Sequence, residues 1–315
     1  MKKQWVLVIA VMMLVIGLLV GYATGTMHAH GKLDNVPRVA VESAFDAELK
    51  LLLGEAKIEK QYVIDGTTYY LGRLRGNDVV MYLSGVSMVS AAMKTQSPAD
   101  YFNIERIVFS GIAGGVNPNL HIGDVTVPAQ WGQYLEAYFA RETEEGVFTP
   151  PSWVELQWPN FGMIYPAPVE VVYEGGEPDA YEEKFWFPVD PEMLAVAKEV
   201  AAAVDLAQCT PDGVCLSYDP VVKVGGNGVS GQAFVDNAAF RDYAWKTFQA
   251  DALDMETAAV AQVAYTNDIP YVAFRSLSDL AGGGPGENEI GTFFQLAADN
   301  SANLVLAFLE AWANK

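Results

Sequence analysis

Histidine is nearly missing from this chain: three occur among 315 residues, and two of them, His28 and His30, fall in or beside an N-terminal leader. His121 is then the one imidazole left in the body of the protein. A Ser-His-Asp or Cys-His site would need it as base, yet it precedes Gly123-Asp124 in what reads as a turn, and no GxSxG elbow exists to partner it. We read His121 as structural. With only two cysteines besides, no adequate His/Cys set exists for zinc, so any catalysis has to come from carboxylates, with or without a hard metal.

Positive charge is scarce as well, with 19 Lys and Arg against 39 Asp and Glu. Setting aside Lys2 and Lys3 of the leader leaves 17 basic residues facing 39 acidic ones, a balance of −22. Such a surface repels nucleic acid and slows the capture of anionic ligands, and no basic cluster offsets it. A neutral or zwitterionic small molecule fits better. The two cysteines, Cys209 and Cys215, bracket the turn-rich TPDGV, and an exported protein could oxidise them to a local disulfide.

Long apolar runs are confined to the start. Lys2-Lys3 followed by Trp5 to Val20, with small residues at Gly21, Ala23 and Gly25, has the layout of a secretory signal over residues 1–29, cleaved after Gly25 or Ala29. Export to the periplasm or medium is the expectation. The rival is an uncleaved anchor over residues 5–22, for which the run is slightly short. No Cys follows the run, which argues against a lipoprotein.

Residues 30–315 are enough for one large α/β domain. From Val36 the pattern predicts a strand over 38–41, a helix over 46–53, two strands meeting near Gly76 and Asn77, a helix from Ser87 toward Phe102, and strands over 106–109 and 124–127. Such βα alternation implies a mostly parallel sheet covered on both faces. Between Gln130 and Val189 the rhythm gives way to PPSW, QWP, NFGMIYPAP and YEEKFWFP, read as an ordered aromatic and proline-rich insertion that packs onto the body or roofs a pocket. A helix over 190–204, a strand over 221–224, the glycine-rich GGNGVSGQAFV, a helix near 237–248 and a last helix over about 292–312 follow. Gly226 to Gly231 spells GxGxxG, with Asp251 and Asp254 downstream. It lies late in the chain and runs into Gln232-Ala233-Phe234, so we read it as a decoy rather than a dinucleotide fingerprint.

The stretch DMETAAVAQVAYTNDIPYVAFRSLSDLA, residues 254–281, places Glu256 in the first turn of a helix apolar nearly all round. Arg275, Ser278 and Asp279 follow where a buried strand, Tyr271 to Phe274, ends. Glu48, after the first strand, makes a third acid. Breaking an N-glycosidic bond needs an acid for the leaving base, a carboxylate to activate water, and an anchor for sugar hydroxyls, and three separated acids meet those needs.

Six collinear motifs, SAFDAEL (43–49), SGVSMVSAA (84–92), SGIAGG (110–115) with HIGD (121–124), VSGQAFV (229–235), DMETAAVA (254–261) and RSLSDLA (275–281), carry a family likeness over roughly 36–312. The chain resembles the nucleoside phosphorylase and nucleosidase superfamily, particularly the methylthioadenosine/S-adenosylhomocysteine nucleosidases. That resemblance implies a single-domain, three-layer α/β/α fold around a mixed, mostly parallel sheet, a homodimer, a purine nucleoside as ligand, and no metal or organic cofactor. It also implies residue roles: Glu48 activates water, Glu256 binds the ribose hydroxyls above Met255, and Asp279, set by Ser278, protonates the base. Phe234 stacks on adenine, Val235 reads the base edge, Arg275 orients the acids, and Phe45 and Val86 lie near the sugar or its 5′ substituent, with Phe293 or Ile290 closing that end and Ala113 and Gly114 as further supporting residues. Related phosphorylases hold phosphate with arginines in segments that here read SAFDAEL and FSGIAGG, without a basic residue, so water is the expected nucleophile. The rival expectations are phosphorolysis and a non-catalytic nucleoside-binding or storage protein, as in exported plant members of the superfamily.

Overall fold

The computed structural model describes residues 31–315, so the expected leader lies outside the described residues. Among those described, no helix is long and apolar enough to cross a membrane. Twelve strands share one sheet and are numbered in chain order: β1 (Asp34–Ser43), β2 (Lys57–Ile64), β3 (Thr67–Leu74), β4 (Asn77–Leu83), β5 (Phe102–Gly115), β6 (Val125–Val127), β7 (Gln130–Gln133), β8 (Trp186–Pro188), β9 (Val222–Val224), β10 (Asn227–Ser230), β11 (Ala250–Asp254) and β12 (Tyr271–Asp279). Their order is β8-β7-β10-β11-β5-β1-β4-β3-β2, while β12 pairs with β5 and β6, and β6 with β9. The pairs β1/β4, β1/β5, β5/β12, β7/β10, β10/β11 and β6/β9 are parallel. The remainder are antiparallel, giving the mixed, mostly parallel sheet.

Among the described residues, six helices cover it: α1 (Asp46–Glu55), α2 (Met88–Tyr101), α3 (Pro191–Ala201), α4 (Ala238–Phe248), α5 (Thr257–Thr266) and α6 (Ile290–Ala313). The two-residue strand period sorts side chains into two cores. Along β1, Val39 and Val41 meet Leu49 and Leu52 of α1, Met193 of α3, and Leu304 and Phe308 of α6. Ala40 faces the opposite way, toward Met88 and Ala91 of α2 and Ala258, Ala261 and Ala264 of α5. Central strand β12 alternates likewise, with Val272 and Phe274 in the first core and Tyr271, Ala273 and Leu277 in the second. Each fully buried Val, Leu or Phe contributes roughly 1.5–3 kcal/mol, so both faces hold the layers together. Side-chain caps fix two helix starts: Asp190 accepts from Met193 N at 2.8 Å, and Asn237 from Phe240 N at 2.9 Å.

Three expectations are corrected. Three strands, not two, occupy residues 57–83, because the chain turns back at Asp65-Gly66 as well as at Arg75-Gly76; all four residues have positive φ, as tight hairpin turns require. The strand expected over Tyr271–Phe274 runs on to Asp279, flanked by β5 and β6, so Arg275, Ser278 and Asp279 lie within it. The glycine-rich stretch, to which the sequence pattern assigns no element, holds one: Asn227–Ser230 is strand β10, and a Cβ on Gly228 would stand 2.6 Å from the Trp131 ring. Those glycines serve close packing.

Residues 130–189 are ordered, and they do contain strands, too short for a sequence period to register. β7 and β8 extend the sheet, and 137–139 with 164–166, 141–144 with 147–149, and 169–171 with 182–184 form small two-stranded pairs. Several of the aromatics pack on the body: Trp158 lies 4.1 Å from Phe185 between ring centroids, Phe185 stacks on Phe248 at 5.4 Å, and Phe161 meets Phe240 edge-on at 5.0 Å, while Phe139, Trp153 and Tyr181 stay exposed. Cys209 and Cys215 form a disulfide that closes the TPDGV turn.

Candidate active site

The C-terminal ends of β1, β5, β11 and β12, together with the segment after β10, surround a cavity open at its mouth. That is where ligands sit in open α/β sheets. Phe45, Glu48, Val86, Ala113, Gly114, Phe234, Val235, Met255, Glu256, Ser278 and Asp279 all line it. Ile290 lines it too, whereas Phe293 turns away to pack with Ile122, Leu216 and Leu296. No wall residue comes from 130–189, so the insertion does not roof the cavity. His121 lies elsewhere, its ring half-exposed against Tyr218, with Nδ1 3.7 Å from Asp124.

Arg275 stands behind the wall, closed to solvent. Its Nε lies 2.8 Å from Asp254 Oδ2 and donates to Thr257 Oγ1 at 2.9 Å; Nη1 is 3.9 Å from Glu48 Oε1, and Nη2 is 3.9 Å from Glu256 Oε2. The guanidinium also rests 3.9 Å from the Phe109 ring centroid. One cation therefore sits among three carboxylates and fixes their spacing. Gly111 makes room for it, since a Cβ there would lie 1.9 Å from Arg275 Nη1 and 2.7 Å from Glu48 Oε1.

Glu48, in the first turn of α1, is held by backbone donors. Ala44 N donates to Oε2 at 2.7 Å and Phe45 N at 3.4 Å, while Ile112 N donates to Oε1 at 2.8 Å. Burial pushes its pKa up, opposed by Arg275 and those three N–H groups. Glu256 is the N-cap of α5 rather than a residue of its first turn, and accepts from Ser87 N at 2.7 Å. Burial and the nearby Asp254 charge raise it to about 7, against Arg275. Ser87 holds φ at 80°, an uncommon conformation for a residue with a side chain, and aims this N–H.

Asp279 is shifted upward, mainly by burial, against donors from Ala281 N at 2.8 Å, Ser278 Oγ at 2.9 Å and Asn288 Nδ2 at 3.3 Å. A carboxyl shifted this way holds its proton to higher pH than an exposed aspartate does. Phe234, 56% exposed at the mouth, offers an aromatic face to a planar ligand. Two contributors escaped sequence reasoning. Asp254 accepts from Ser230 Oγ, Thr257 Oγ1 and Arg275, and its signal was its place at the head of DMET; Asn288 carried no motif at all. Asp251 is buried against Lys223 and Asn117 and takes no part in the cavity.

A family model described as the phosphorylase superfamily matches residues 38–310. The 5′-methylthioadenosine/S-adenosylhomocysteine nucleosidase of Geobacillus kaustophilus is 28% identical over 279 residues, covering 88% of this chain and 99% of its own. Among solved structures, the nucleosidase of that name from Colwellia psychrerythraea in complex with adenine matches with a TM-score of 0.63 and 25% identity, over 87% of this chain and 95% of its own. The futalosine hydrolase of Helicobacter pylori shares the fold at a TM-score of 0.63 and 21% identity, over 87% and 98%.

Proposed function

This chain belongs to the phosphorylase superfamily, and on that premise we propose that it hydrolyses the N-glycosidic bond of an adenine nucleoside of the methylthioadenosine or S-adenosylhomocysteine type. The observation that carries this reading is that Glu48, Glu256 and Asp279 face one cavity with Phe234 at its mouth. The base stacks on Phe234 with its edge at Val235, and Glu256 accepts from the ribose hydroxyls over Met255. Asp279 gives its proton to purine N7 as the C1′–N9 bond breaks, and the bond pair leaves with the base. Water bonds to C1′ and passes its proton to Glu48, yielding adenine and the free sugar. Arg275 holds Glu48 and Glu256 apart, Ala113 and Gly114 lie beside Ser278 and Asp279, and Phe45, Val86 and Ile290 form the apolar end for the 5′ substituent.

Incubation with methylthioadenosine and S-adenosylhomocysteine, with adenosine, inosine and futalosine in parallel, tests this. Adenine release without added phosphate is expected, and Asp279→Asn should lower kcat by about 10²–10⁴-fold while substrate still binds. Release that depends on phosphate, or binding without turnover, overturns the reading. Residues 1–29 belong to the same proposal as an export signal, a reading the disulfide supports; N-terminal sequencing of the secreted protein tests it. A homodimer completes it, supported by the exposed apolar row Val86, Val89 and Met93 beside the cavity, and sedimentation velocity decides it.

A further inference from the structure

Between Asp279 and α6 runs the glycine-rich segment 282–286, GGGPG, followed by Glu287, Asn288 and Glu289. Its path is pinned at both ends. Gly282, at φ 84°, lies so close to the next segment that a Cβ would stand 2.3 Å from Asn237 N, and Asn237 N donates to Ala281 O at 3.0 Å. At the other end, the Asn288 amide reaches two acids, donating to Asp279 Oδ1 at 3.3 Å and to Asp236 Oδ1 at 3.1 Å. The Asn288 carbonyl meanwhile accepts from Ile290 N at 3.0 Å, which fixes the side chain at the start of α6. Asp236 directly follows Val235, so one amide spans the proton-bearing carboxyl and the segment at the base edge.

We propose that Asn288 is a positioning residue for Asp279, latching the acid to the Phe234–Asp236 segment so that proton donor and base platform keep one geometry. The inference rests on the reading of Asp279 as the acid that protonates the base. Ser278 bonds Asp279 only from its own stretch of chain, and Ala281 reaches the segment through its backbone, from Asn237 N; Asn288 makes the link through a side chain, bonding both carboxyls directly.

The latch has an electrostatic sign. An N–H donated to a carboxylate favours the ionised form, so Asn288 works against the burial that raises Asp279. Glu289 pushes the same carboxyl up, and Asp236 shares the amide. Glu48, Asp254 and Glu256 face it from the cavity wall, Arg275 lies behind them, and Arg241 sits against Gly283. Because Asp279 must be protonated to act, turnover is lost as pH rises through its pKa. Removing the amide raises that pKa, so the alkaline limb moves upward.

The test compares Asn288→Ala and Asn288→Asp with the parent chain. The Asp variant keeps an oxygen to accept from Ile290 N but lacks the donor, which separates the latch from the helix cap. Both should move the alkaline limb of kcat upward, by about half a pH unit for Ala and more for Asp. Plateau kcat should fall several-fold with KM nearly unchanged. A residue that only supported the loop would lower the rate at every pH and leave the limb in place. A carboxyl-carbon NMR titration, with the Asp279 signal identified by its loss in Asp279→Asn, reads the latch without any turnover. An upward move of that midpoint in a parent chain that releases no adenine sinks the hydrolase reading and keeps the latch. An unmoved midpoint in both variants overturns the latch, whatever the parent hydrolyses.

Discussion

Arg275 Nε stands 2.8 Å from Asp254 Oδ2, and both side chains are buried. The pair anchors the cation whose other nitrogens face Glu48 and Glu256. A buried charge is tolerated only with its partner, and this gives the first prediction.

Asp254→Ala should destabilise the fold by about 3 kcal/mol, since it takes from a buried guanidinium its shortest carboxylate contact and leaves Glu48 and Glu256 at 3.9 Å. The Asp254→Leu, Arg275→Met double variant should lose less than the sum of the singles. Urea unfolding of the four proteins measures the coupling, and strict additivity would count against a tight pair.

Gly111→Ala should leave a folded but nearly inactive protein. Its Cβ would occupy the position of Arg275 Nη1, displacing the guanidinium and Glu48 together. A misplacement of about 1 Å near reacting groups costs on the order of 10²-fold in kcat. Turnover within a few-fold of the parent, with an intact thermal transition, refutes this account.

Glu42 supplies a pH prediction outside the reaction. Burial raises its carboxyl to about 7 from the usual 4.5, against the hydrogen bond from Thr95 Oγ1 at 2.9 Å and the Arg275 charge. The folded state therefore holds this proton more tightly than the unfolded chain. Stability from this group is complete below about 4.5 and is lost as pH rises to about 7. Glu42→Gln should match the parent near pH 4, as an approximate lower arm, and exceed it by roughly 2–3 kcal/mol near pH 8. Urea midpoints at the two pH values check this; equal differences at both would remove Glu42 as the cause.

Gly228→Ala should cost about 1–3 kcal/mol by driving a methyl group into the Trp131 ring. Thermal melts should show the loss with or without NAD, as expected if the GxGxxG packs a strand and cradles no phosphate. Protection by NAD would reverse that assignment.

Much of the fold was legible because burial writes itself into period. The apolar helix around Ala258–Ala264 and the alternation along β1 and β12 announced their layers. What stayed hidden were elements whose signal is short or shared. Three- and four-residue strands between Gln130 and Pro188 leave no measurable alternation, and the polar end of β12 looked like a loop because its side chains are satisfied by distant partners. Phe293 and Ile290 were indistinguishable as apolar residues near a helix start, and only their angular positions on α6 send one to the cavity and the other to Leu216.

The sequence alone determined the kinds of chemistry open to this protein, because the supply of side chains is fixed before folding. One histidine in the body, two closely spaced cysteines and an acidic excess leave carboxylates as the working groups. Tertiary structure decided which carboxylates share a wall, and which cation spaces them. Residues 48, 254, 256, 275, 279 and 288 are brought together by strand ends whose order in the sheet differs from their order in the chain. The upward shifts of Glu48, Glu256 and Asp279 follow mainly from burial, which no single residue carries in its own identity.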